Sequence, residues 1–139
     1  MPGVTKPLSS GAWVAVLCGS LAALGCKENP DEPEFHEPCT GAVTVSVDLS
    51  EQQPRFRWTP ACLVATVVVE SAPRTGNPSE HWRVAATRTI IAPPILYGRL
   101  PVGADSPGFL PLMSNQDYRV TVYVLDRVVA VGVGSWHQP

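Results

Sequence analysis

Along most of the chain, apolar and polar residues alternate instead of recurring at helical spacing. Val43, Val45, Val47 and Leu49 alternate with Thr44, Ser46 and Asp48, which predicts a strand with one buried face. The sequence EQQP breaks this pattern, and Phe56 and Trp58 then alternate with Arg55 and Arg57. Residues 64–70 are almost entirely β-branched, as a central strand would be. Residues 71–80, SAPRTGNPSE, form a turn-rich break, and residues 82–87 predict a strand beyond it. Prolines 93, 94, 101, 107 and 111 forbid a long helix or a central strand, so extended segments and surface loops are expected there. Towards the C-terminus, Tyr118, Val120, Val122 and Val124 alternate with Arg119, Thr121 and Tyr123. Asp126 and Arg127 predict a hairpin turn, and residues 128–133 the last strand. Short strands separated by turns, with no helix between them, predict an all-β domain built as a sandwich or barrel.

The first 38 residues read differently. Lys6 is followed by thirteen uncharged residues, 12–24, and then the small residue Gly25. A basic start, a short apolar middle and a small residue before the cut describe a secretory leader. As a helix the apolar stretch would be about 20 Å long, against a bilayer core of about 30 Å, so a permanent span is not expected. Ala23-Leu24-Gly25-Cys26 resembles the lipobox of bacterial lipoproteins. The resemblance implies that the Cys26 thiol takes a diacylglycerol group and becomes the new N-terminus. An ordinary leader cut nearby, with Cys26 incidental, is the other use of the same segment. The expected organisation is therefore a leader over 1–25, a flexible acidic tether over 26–38 and a single β-sandwich over 39–139. The tether carries Glu28, Asp31, Glu32, Glu34 and Glu37 with three prolines and has almost nothing to bury.

Two motifs sharpen the domain. RWTP, residues 57–60, resembles the second-strand Trp-x-Pro of fibronectin type III and related immunoglobulin-like domains. Leu112 and Tyr118 are similar to their tyrosine corner, a leucine six residues before a tyrosine that opens the next-to-last strand. Asn115 stands where the family usually has glycine, and asparagine tolerates the left-handed backbone needed there. The resemblance implies a fibronectin type III-like sandwich with Trp58, Leu112 and Tyr118 in structural roles. Such modules mostly serve as adhesive or spacer units, and the fold alone does not fix a function.

Charge and cysteines narrow the functions. Beyond residue 25, nine Lys and Arg face twelve acids, a formal charge of about −3. Within 39–139 eight arginines nearly balance seven acids, which argues against a nucleic-acid partner with its need for a concentrated basic face. Of the four cysteines, Cys18 lies in the leader and Cys26 at its end, leaving Cys39 and Cys62. In an oxidising envelope these two form a disulfide by default. The competing use, a reactive Cys39 beside His36, lacks a helix, a glycine turn or a second ligand pair. His36, His81 and His137 show no metal-ligand spacing and read as ordinary surface histidines. Ser79-Glu80-His81 holds triad-type residues, but adjacency in sequence does not make a triad. No cofactor and no metal is expected.

Trp82, Tyr97, Tyr123 and Trp136 are the candidate contact residues, at strand or loop positions away from Trp58 and Tyr118. Exposed rings on a sandwich stack on sugars or anchor protein partners. The same rings could instead cover the sandwich edges and fill the ends of the core. The expectation is a lipid-anchored protein of the bacterial cell envelope, exposed to periplasm or exterior, acting as a non-enzymatic binding or structural module. Its partners would be the membrane, through the anchor, and an envelope protein or glycan. A glycan-binding module, or a small metal-binding or hydrolytic envelope protein, are the alternatives.

Overall fold

The computed structural model describes residues 37–125 and 127–139. The leader, Cys26, His36 and most of the tether lie outside the described residues, as does Asp126 of the expected hairpin turn. Seven strands follow one another: β1 (Thr44–Asp48), β2 (Arg55–Thr59), β3 (Thr66–Ser71), β4 (Glu80–Ala85), β5 (Ile95–Leu96), β6 (Gln116–Leu125) and β7 (Val129–Gln138). They make two antiparallel sheets, ordered β1-β2-β5 and β4-β3-β6-β7, packed together as a β-sandwich. The described residues contain no helix.

Period-two alternation places the core. Phe56 and Trp58 of β2 face Val67 and Val69 of β3, Trp82 and Val84 of β4, and Tyr118, Val120 and Val122 of β6 across a single apolar cluster. Fully burying a valine or phenylalanine side chain contributes roughly 1.5 to 3 kcal/mol. β3 lies between β4 and β6, and its outward Thr66 and Val68 are buried as well as its inward valines. That double burial is why Thr66 to Val69 are all β-branched.

The residues of both sequence motifs lie against the core. Trp58 is buried, and its indole N–H donates to the Cys62 carbonyl at 2.7 Å. The Tyr118 phenol oxygen, fully buried, accepts the Met113 N–H at 2.8 Å, five residues upstream. Leu112 packs half-buried against the core, and Asn115 takes the left-handed conformation at φ 59°. Cys39 and Cys62 are joined in a disulfide with their Cα atoms 4.9 Å apart.

The sandwich deals with its edges in two ways. At one corner β1 leans on β7, and Val43 N–H donates to the Val131 carbonyl at 2.8 Å. Two glycines of β7 allow this approach. A Cβ at Gly132 would lie 2.6 Å from Val43 Cγ2 and 2.8 Å from the Val43 oxygen, and one at Gly134 would lie 3.0 Å from Val45 Cγ1. At the opposite edge the proline-rich stretch 101–111 runs beside β4 as a strap. Asp105 and Ala85 exchange both backbone bonds, at 2.7 and 2.9 Å, and Leu110 N–H donates to the His81 carbonyl at 2.8 Å. An unpaired row of backbone groups is thereby covered. The prolines do what was expected of them: between β4 and β6 the only named strand is the two-residue β5.

Strand limits shift by a few residues from the sequence reading. β4 starts and ends two residues earlier, and β7 runs five residues further, to Gln138. The β6–β7 turn holds Arg127 at φ 54°, a left-handed position that the sequence fills without glycine.

Candidate functional site

The four aromatic residues proposed as a contact surface do not form one. Trp82 is 2 % exposed, Tyr97 2 % and Trp136 8 %, so three of the four belong to the core. Only Tyr123 is partly exposed, on the outward side of β6. The buried rings form a continuous chain across the molecule. Tyr97 meets Trp82 edge-on at 5.2 Å, Trp82 meets Phe56 at 6.3 Å, Phe56 meets Trp136 at 5.4 Å, and Trp136 stacks on Tyr118 at 5.3 Å. Their apolar area is better removed from water than displayed to it.

Tyr97 has a further task. Its O–H donates to the Leu110 carbonyl at 2.6 Å and lies 3.3 Å from the His81 carbonyl, so one phenol fastens the strap to β4. Burial, and then the neighbouring Tyr118, push this phenol above the ordinary tyrosine range. Tyr97 therefore remains a donor at any physiological pH.

His81 is not the surface histidine that its sequence surroundings suggest; it is buried. In the β3–β4 pairing Val69 opposes Trp82 and Glu70 opposes Glu80, which leaves His81 as the extra residue of a bulge. The bulge re-aims its side chain. The imidazole packs edge-on against Tyr118 at 5.1 Å, and Nδ1 is buried without a hydrogen-bond partner. The neighbouring triad-type residues have their own partners. Ser79 Oγ pairs with Ser71 Oγ at 2.8 Å, and Glu80 pairs with Arg127. His137 Nδ1 contacts Asp117 at 2.7 Å on the exposed far end, where both side chains border a crevice of about 430 Å³ with Arg74 and Asn115. Among the described residues, no three His, Cys, Asp or Glu side chains are grouped to hold a metal ion.

The surface that does stand out is the strap. Phe109, Leu110, Pro111 and Met113 are exposed within the apolar run GFLPLM, and only Leu112 turns towards the core. Phe109 leans edge-on against Tyr97 at 5.7 Å, which fixes the ridge to the buried ring chain. Two crevices, of about 270 and 400 Å³, lie between the strap and β4 and share Arg83 and Pro107. Exposed runs of consecutive apolar residues are avoided on surfaces that only meet water. The sequence signal was present as six uncharged apolar residues in a stretch too rich in proline for a core strand.

No protein-family model, no curated protein and no solved structure matches the chain.

Proposed function

We propose that this protein is a lipoprotein of the bacterial cell envelope, anchored through Cys26, whose single β-sandwich acts as a non-enzymatic binding or structural module. Ala23-Leu24-Gly25-Cys26 supports the anchor, and the acidic, proline-containing tether supports a domain held off the lipid surface. The exposed side chains of Phe109 and Leu110 beside β4, with Met113 just beyond them, are the observation that carries the binding reading. It is an apolar surface on a rigid mount, with Arg83 and Glu80 beside it, and a partner protein is the ligand class that such a surface suits. The glycan reading loses its support, because Trp82, Tyr97 and Trp136 offer no ring face to a sugar. Among the described residues, His81 and His137 do not converge with a nucleophile, so the hydrolytic reading gains no support from them.

Leu110→Ser combined with Met113→Ser tests the reading. Both side chains point away from the core, so the variant should melt with the wild type. It should lose envelope proteins that the wild type retains after cross-linking in intact cells. An unchanged cross-linking pattern from a folded variant would remove the strap as the contact surface.

A further inference from the structure

Away from the strap, exposed apolar side chains gather at one end of the sandwich, and backbone hydrogen bonds show that the chain enters at that same end. Leu63 N–H donates to the Glu37 carbonyl at 2.8 Å, and Cys39 N–H to the Leu63 carbonyl at 2.9 Å. The residues just after Leu63 fix what else is there. Val64 and Ile91 exchange backbone bonds at 2.9 and 3.0 Å, and Ala65 N–H donates to the Tyr123 carbonyl at 2.8 Å. The loop holding Arg88 and Ile90 and the β6–β7 turn holding Val128 therefore project from the entry end. Gly103 stands against Ile90, whose Cδ1 lies 2.9 Å from where a Cβ would be, and so brings in Val102. Val102 is 98 % exposed, the most exposed large hydrophobic side chain among the described residues, and Ile90, Leu125, Val128 and Val129 are exposed at the same end. The opposite end carries Asp48, Glu51, Arg74, Asp117 and His137.

We propose that the entry end is a lipid-contacting face, with the domain resting end-on against the bilayer and Val102 and Val128 entering the boundary between headgroups and acyl chains. This rests on the lipoprotein reading above. Cys26 and Glu37 are eleven positions apart, and fully extended that chain spans no more than about 40 Å. The ten-residue β6 is itself about 33 Å long, so turning the other end to the membrane would require the tether to run the length of the domain. The anchor also makes any contact intramolecular, so a small apolar face suffices to orient the domain. Charge gives little help. The five acids of residues 28–37 repel an anionic surface and work against the single exposed Arg88 of the entry-end loop. Apolar insertion is then the attraction, and the contact should persist in high salt, which screens only the charges.

The test uses the full acylated protein in vesicles of phosphatidylethanolamine and phosphatidylglycerol. An environment-sensitive fluorophore is placed on Thr87→Cys at the entry end or on Thr75→Cys at the opposite end. The Thr87 label should shift to the blue and lose emission to a lipid-borne quencher, unchanged at about 1 M salt, while the Thr75 label should behave as in water. Adding Val102→Asp and Val128→Asp should return the Thr87 label to the behaviour of the Thr75 label. Equal emission from both labels on vesicle-bound protein would overturn the lipid-contacting face and leave the anchor standing. Protein that fails to sediment with vesicles would overturn the anchor and the face together.

Discussion

Tyr118 and His81 sit against each other, and their substitutions should differ in sign. Tyr118→Phe leaves the Met113 N–H without its acceptor, so denaturant unfolding should show a loss of about 0.5 to 1.5 kcal/mol. His81→Phe keeps a ring against Tyr118 and removes an imidazole nitrogen that has no partner. Removing a buried orphan of this kind should leave the melting temperature unchanged or raise it. A clear loss of stability would mean that Nδ1 is satisfied in solution. Tyr97 gives a pH dependence. Its phenol titrates above the ordinary value of 10.0 when folded, so the unfolded chain ionises first as pH rises. The stability it contributes is whole below about pH 10 and declines above that. Tyr97→Phe should flatten that alkaline decline in a series of melts. At this scale the sequence was only partly legible. Simple parity puts Tyr123 opposite Tyr118, Val120 and Val122, and therefore outside, as found. The same parity puts Trp82 with Val84, inside, and ring size alone misdirects the assignment. His81 defeats parity because the bulge that turns it is a property of the pairing between two strands.

Among the elements, β1, β2, β3 and β6 were legible because half-buried and fully buried strands write different patterns. The strap was legible only as something that could not be sheet, since its bonds to β4 depend on a partner far along the chain. The β1–β7 corner was not legible, although its cause is two glycines. Gly132→Ala should cost about 1 to 3 kcal/mol in urea unfolding, because its Cβ would meet the Val43 backbone oxygen as well as a movable side chain. Gly134→Ala should cost less, as its Cβ meets only side chains, at 3.0 Å and beyond. The reverse order would mean that the two strands do not approach as described. Reducing the Cys39–Cys62 bond opens a loop spanning 23 positions and should lower stability by roughly 3 kcal/mol in the chain-entropy model. Two titratable thiols in the folded, non-reduced protein would contradict the bond.

For the whole molecule, the two-sheet sandwich followed from strand count, turn spacing and two motifs, whereas the ridge on the strap emerged only when exposure was known. The proposed leader and anchor make a direct prediction. Cys26→Ser should abolish acylation and release the domain from the membrane fraction. Retention of that variant after a high-salt wash would refute the lipobox assignment. The disulfide bears on this attachment in a way that stability does not express. Tension applied to the chain upstream of Cys39 passes through the sulfur bridge to Cys62, so β1 and β2, which lie between the two cysteines, are bypassed by the load. The first strand cannot be peeled away from β7 by a pull on the N-terminus, and the force arrives at the segment leading into β3, held in the middle of its sheet. Stretching should therefore yield a single rupture whose extension lacks the bridged residues until reductant is added. As a mechanical element, the domain is a link whose first two strands are shielded from a pull on its N-terminal side.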